Sequence, residues 1–204
     1  MALLYDIGLY DIPQDIIYKN EKVSQKEYDL LKIHPTISHE KLATTQFDKI
    51  IPNIALEHHE RVNGEGYPRG IINLSEITEL FGMVDFFEAV THQRPQRGPV
   101  TPHEGIQMLM GMKHKMFTRK MLTDFINVFS IFPVYSVVRL NSGEIGQVIK
   151  ANVNWILRPL VSILFKSDGQ PVSGRKEIDL SKDKILFITK DISDRVFIDR
   201  HFKL

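Results

Sequence analysis

His58-His59-Glu60-Arg61-Val62-Asn63-Gly64-Glu65-Gly66-Tyr67-Pro68-Arg69-Gly70 is the run from which the rest of the chain becomes readable. Adjacent imidazoles on a helix point about 100° apart, so both reach one ion only if it lies beside the helix and other residues complete its sphere. Pro52 is placed to open a short helix through His58 and His59. Beyond it, Arg61 to Ile72 carries Gly64, Gly66, Pro68 and Gly70 and reads as the one long loop of this half.

Working outward, three more residues of ligand type appear: His34, and, in apolar surroundings, Asp6 within Leu3-Leu4-Tyr5-Asp6-Ile7-Gly8 and Asp85 within Gly82-Met83-Val84-Asp85-Phe86-Phe87. A carboxylate on an apolar helix face is costly unless a cation or hydrogen bonds compensate it. A single histidine on a helix is more often a surface or satisfied core residue, and His39, His92, His103 and His114 need no other reading. Mixed imidazole and carboxylate ligands suit Fe, Mn or Zn better than Ca or Mg.

The composition excludes several classes. Lys+Arg number 26 against 25 Asp+Glu, so there is no global basic field for a nucleic acid duplex or an anionic membrane. Cysteine is absent, which removes disulfides, thiolate catalysis and Cys-type zinc sites and is compatible with a reducing cytoplasm. Met1 to Tyr10 lacks a basic start and carries Asp6, and no apolar run reaches the roughly 18 residues of a membrane helix. A soluble, cytoplasmic chain is expected.

The texture changes near Pro133. Upstream, Ser24 with Glu27 and Thr101 with Glu104 form capping boxes, Ser75 caps a longer helix through Val90, and Thr118 caps one through Phe129. Downstream come β-rich runs at 135–140, 145–151, 160–165, 177–180 and 185–188. Asn141-Ser142-Gly143 and Ser167-Asp168-Gly169 supply hairpin chemistry between them. The expected fold is mainly α, a helical domain over 1–132 followed by a small antiparallel β-rich subdomain over 133–204.

The His58 to Gly70 run resembles the signature of the HD-GYP family, with its His-His-Glu, Arg, Asp-Gly and Gly-Tyr-Pro elements. Flanking features match in order. Tyr5-Asp6-Ile7-Gly8 stands where the family has His-Asp-Ile-Gly, His34-Pro35 follows a Glu-rich helix, and Val84-Asp85 to Arg94-Pro95 is similar to the family's Asp helix and Arg-Pro segment. The resemblance implies an all-helical HD-type domain binding two or three ions, iron or manganese as a rule, that hydrolyses cyclic di-GMP. Paired ions would polarise the phosphodiester and lower the pKa of water. Gly66, Tyr67 and Pro68 would shape ligand and partner contacts. Arg61, Arg69, Arg94 and Arg97 offer guanidinium forks for phosphate, although surface arginines are often simply solvated.

Carried over by position, the resemblance implies one intact ligand set of Asp6, His34, His58 and His59, and a neighbouring position reduced to Asp6 and Asp85, the two carboxylates of the catalytic site. Tyr5 replaces an imidazole there, Leu9 replaces a lysine, and Asn63 replaces an aspartate. An earlier His would lie on helices before Tyr5, which stands four residues from Met1. A homodimer, a partner domain or a separately encoded half is therefore expected over that side. One ion rather than two, of Fe or Mn or else Zn, and weak or absent hydrolysis follow as expectations. The competing readings are a working phosphodiesterase, a non-catalytic cyclic di-GMP sensor or protein-binding domain, and a helical interaction domain without ligand.

Overall fold

The computed structural model of the chain describes residues 3–93, 98–112 and 115–193. Two compact units divide it, one within Met1–Pro99 and Met112–Met121, the other within Val100–Gly111 and Leu122–Leu204. The class is the expected one: helices first, then a five-stranded antiparallel sheet among the described residues.

In the first unit a 3-10 helix, Ile7–Asp11, leads into α1 (Gln14–Ile17), α2 (Gln25–Leu31), α3 (His34–Ala43), α4 (Ile50–Glu57) and α5 (Glu76–Thr91). The start of α2 is the predicted capping box, in which Ser24 Oγ accepts the Glu27 N–H and the Glu27 carboxylate accepts the Ser24 N–H. Ser75 caps α5 by accepting the Thr78 N–H. Helix α4 departs from the sequence reading. It starts before Pro52, where Asp48 Oδ1 accepts the Ile50 N–H at 2.9 Å, and it ends at Glu57. His58 is its C-cap, so the two histidines stand past the last turn rather than on the helix.

Buried Ile12, Ile16, Leu42, Ile54, Ala55 and Met83 form the apolar interior of this unit. The 3-10 helix lies directly on α3, and Gly8 makes that approach possible. A Cβ at Gly8 would stand 2.3 Å from the His34 carbonyl oxygen, and the Gly8 N–H donates to Ser38 Oγ at 2.9 Å. That contact brings the turn carrying Asp6 against the start of the helix carrying His34.

The second unit holds α6 (Pro102–Gly111), the part of α7 (Arg119–Phe129) from Leu122 onward, and strands β1 (Val137–Leu140), β2 (Ile145–Lys150), β3 (Leu160–Phe165), β4 (Pro171–Asp179) and β5 (Ile188–Asp191). Thr101 and Glu104 cap α6 reciprocally, and Thr118 Oγ1 accepts the Met121 N–H at the start of α7. The sheet order is β4-β3-β2-β1-β5, antiparallel throughout. Both predicted turns fall between paired strands. β4 is longer than predicted because it stays paired with β3 from Asp179 back to Pro171. β5 begins later than predicted because Asp183 Oδ1 accepts the N–H groups of Ile185 and Leu186, at 2.8 and 2.9 Å, and turns that segment away from the ladder. No described helix is long and apolar enough to cross a membrane.

Candidate metal centre

Three segments of the first unit converge on one point. His34 is the first residue of α3, and its Nδ1 lies 2.6 Å from the carbonyl oxygen of Leu31. His58, at the end of α4, has its Nδ1 2.9 Å from the carbonyl oxygen of Ala55. With a proton on Nδ1, each imidazole donates to the carbonyl three residues back and turns a bare Nε2 to the opposite side. Those two Nε2 atoms are 3.4 Å apart, and each is 3.2 Å from Asp6 Oδ1. Ligands sharing an ion through bonds of about 2.1 Å stand about 3.0–3.4 Å from one another. His59 completes the group, whose ligand atoms all lie within 4.8 Å of one another.

This arrangement is electrostatically incomplete as a set of neutral imidazoles and a carboxylate. Asp6 Oδ1 is buried with no hydrogen-bond donor, while three acceptors face each other across little more than 3 Å. Either a proton on an Nε2 or a cation must stand among them. Burial alone would raise the Asp6 carboxyl, but His34 and His58 outweigh it and hold the group well below the usual carboxylate range. Burial, then the neighbouring His58 and His34 and the Arg61 guanidinium, press His59 down to about 2. A divalent ion suits the donor set, because imidazole nitrogens and a carboxylate bind a metal through their unprotonated atoms.

The adjoining position is built differently. Asp85, on α5, is buried, and its Oδ2 lies 3.9 Å from His59 Nδ1. Its Oδ1 accepts a 2.8 Å hydrogen bond from the Tyr5 hydroxyl. Burial, followed by the charges of Asp85 and Asp6, pushes the Tyr5 phenol far above its ordinary value, so it remains a donor. The Tyr5 ring is wedged edge-on between His58 and Phe81, with centroid distances of 5.0 and 4.9 Å.

The loop after His59 is fastened from beneath by Glu60. That carboxylate is 1% exposed and accepts the N–H groups of Arg69 at 2.7 Å and Ile71 at 3.1 Å. Gly66 lies so close to this segment that a Cβ would stand 2.4 Å from both the Glu60 Cα and the Arg61 nitrogen. The Tyr67 N–H reaches the His59 carbonyl at 3.2 Å, and the rings of His59 and Tyr67 lie 4.6 Å apart. A cleft of 310 Å³ opens beside the centre, with His59, Asp85 and Arg61 among its lining and Tyr28, Tyr67 and Phe86 as aromatic walls.

The family model for the HD domain matches residues 1–120. This chain belongs to the HD domain family. A second model, a KOW domain associated with the HD domain, matches residues 137–200. The HD chain is 28% identical over 184 residues to the cyclic di-GMP phosphodiesterase PA4108 of Pseudomonas aeruginosa, covering 89% of this chain and 44% of the relative. It is 26% identical over 169 residues to the cyclic di-GMP phosphodiesterase PdeB of Borreliella burgdorferi, covering 82% and 45%. To the 3'3'-cGAMP-specific phosphodiesterase 1 of Vibrio cholerae it is 32% identical over 119 residues, covering 56% and 26%. It thus spans less than half the length of these relatives.

Within this HD domain, Asp6, His34, His58 and His59 come together, with Asp85 beside His59. Gly66 and Tyr67 line the cleft, and Pro68 is exposed. Arg61 is buried: its Nη1 donates to the carbonyls of His58 and Glu60 at 2.9 and 2.7 Å, and its guanidinium lies over the Phe117 ring at 5.2 Å. Arg69 pairs through its Nη2 with Glu57. Arg94 and Arg97 lie outside the described residues. Two residues escaped assignment from sequence. Glu60 sits inside the decisive run with no acidic partner-type signal, and only its place beside two histidines in a glycine-rich loop marks it as an anchor. The resemblance makes Tyr5 a missing imidazole, whereas its hydroxyl has its own partner in Asp85.

Proposed function

We propose that this chain is an HD-GYP-type, cyclic di-GMP phosphodiesterase-like domain that holds one divalent ion, Fe or Mn or else Zn, and hydrolyses its ligand weakly or not at all. The 2.8 Å hydrogen bond from Tyr5 to Asp85 carries this reading, because the phenol takes up a carboxylate oxygen that a second ion would need. Asp6, with His34, His58 and His59 around it, supports the single ion. A bound divalent cation supplies Lewis-acid polarisation of a phosphodiester and a lowered pKa for water.

The protein's own contributions are separate from that chemistry. His34 and His58 are fixed in orientation by their Nδ1 contacts to the Leu31 and Ala55 carbonyls, and Asp6 lies between their Nε2 atoms. Asp85 is held at the edge of the cleft by Tyr5. The cleft, with Tyr28, Tyr67 and Phe86 on its walls, suits a ligand with flat rings and a phosphate directed at the ion. The relatives' names support cyclic di-GMP as that ligand. The same reading places the chain in the cytoplasm, with a homodimer partner or another domain over exposed Tyr10 and Tyr18, which are 85% and 67% accessible.

The test pairs turnover with binding on protein loaded with Mn(II) or Fe(II). Calorimetric titration is expected to show cyclic di-GMP binding, and chromatography of the same mixture is expected to show little or no pGpG or GMP. Turnover equal to that of an intact HD-GYP enzyme would refute the weak-hydrolysis reading. Binding with no turnover at all favours the second reading, a non-catalytic cyclic di-GMP sensor or protein-interaction domain, for which the same Tyr5–Asp85 contact speaks. Absence of binding would remove cyclic di-GMP from the account.

A further inference from the structure

The relatives differ in the base they are named for, cyclic di-GMP in some and 3'3'-cGAMP in another. One rim residue of the cleft bears on that choice. Glu65 lines the cleft with Tyr28, Tyr67 and Phe86. Its carboxylate is clasped by Asn63, whose Nδ2 donates to Glu65 Oε2 at 2.6 Å while the Glu65 N–H donates to Asn63 Oδ1 at 3.1 Å. Asn63 stands where the resemblance has an aspartate, and an aspartate there would set one carboxylate against another and remove the clasp. Two arginines of this region have partners of their own. Arg61 gives its Nη1 to two backbone carbonyls and Arg69 pairs with Glu57. Glu65 is therefore an oriented, acceptor-only group at the mouth of an aromatic-walled slot.

We propose that Glu65 selects guanine in this cleft by accepting from N1–H and the N2 amino group, with Tyr28 and Phe86 as the apolar faces against the base. This rests on the reading that the cleft takes a cyclic dinucleotide. Guanine presents two adjacent donors on that edge, which match the two acceptor oxygens of a carboxylate. Adenine presents an N1 lone pair there beside one amino donor, so one carboxylate oxygen would face another acceptor. A cleft of 310 Å³ is at the small end of ligand sites and has room for one nucleoside rather than two. The second base of a cyclic dinucleotide would lie outside the slot, so a ligand with one guanine remains acceptable.

Calorimetric titration of the full metal-loaded chain with cyclic di-GMP, 3'3'-cGAMP and cyclic di-AMP tests this. The wild type is expected to bind the two guanine-containing ligands and to discriminate against cyclic di-AMP by at least about tenfold, the scale of a hydrogen bond to a charged group. Glu65→Gln replaces one acceptor by a donor, the complement of the adenine edge, and is expected to erase that ratio with metal content unchanged. Asn63→Asp, which breaks the clasp from the other side, is expected to shrink it too. Tyr28→Ala is expected to weaken all three ligands together by about five- to a hundredfold. A ratio unmoved by both Glu65→Gln and Asn63→Asp overturns the role of Glu65 and leaves the cyclic-dinucleotide reading standing. Wild-type protein that binds none of the three overturns both.

Discussion

Two neighbouring positions in one helical unit solve opposite problems. Around Asp6 Oδ1, three acceptor atoms stand within 3.4 Å of one another, two of them on imidazoles whose other nitrogen faces a backbone carbonyl. Nothing in that group donates when the imidazoles are protonated on Nδ1. Beside Asp85, a few ångströms away across His59, a phenol supplies the donor. The first position is left with facing acceptors, which a proton on an Nε2 or a cation would reconcile, whereas the second has a donor within the chain.

The largest effect is expected from breaking the first position. Asp6→Asn replaces the shared oxygen's charge and is expected to weaken Mn(II) or Fe(II) binding by at least about 100-fold, since even outer-shell changes cost about 10–100-fold. Competition with a chromogenic chelator measures it, and near-wild-type affinity would dissolve the contrast between the positions. Next, Tyr5→His exchanges the donor for an imidazole. The variant is expected to gain up to about one further equivalent of metal, read by elemental analysis after reloading. No gain would mean that Tyr5 alone does not close the second position.

A smaller effect is expected beneath both positions. Glu60→Gln leaves one of the Arg69 and Ile71 N–H groups facing an amide donor, and it is expected to lower unfolding free energy by about 1–3 kcal/mol. Urea denaturation checks this, and an unchanged midpoint would show the loop to be held otherwise. The smallest effect concerns pH. His59 is held at about 2 by burial and by His58 and His34, against about 6.5 in an unfolded chain. Below pH ~6.5 the unfolded state takes up a proton that the folded state refuses, so the His59 contribution to metal-free stability is constant above that pH and is lost as pH drops from ~6.5 toward 2. Asp6, also held low, adds loss in the same direction at lower pH. Melting in chelator is expected to come earlier at pH 5 than at pH 7.5, and His59→Asn should flatten the difference.

How much of this was legible beforehand depends on the range of the interactions. Capping boxes are local chemistry, and those at Ser24 and Thr101 start helices where the sequence places them. The hairpins at Gly143 and Gly169 are equally local. Where a side chain reaches a few residues along the chain to compete for backbone groups, the boundaries moved: Asp48 draws α4 forward and Asp183 delays β5. The ligand set is what the resemblance implies, and its geometry depends on contacts that no local pattern encodes. Gly8 against the His34 carbonyl and Tyr5 against Asp85, 80 positions apart, are of that kind. Arg61 shows the limit most clearly, since its burial, its Nη1 contacts to two carbonyls and its place over the Phe117 ring are written nowhere in the local sequence.

A position with facing acceptors beside one with its own donor is expected to hold one ion per chain. Wild-type protein stripped of metal, reloaded with Mn(II) under anaerobic conditions and desalted is expected to retain about one equivalent, by elemental analysis and native mass spectrometry together. Two equivalents, or less than about half of one, would contradict the account.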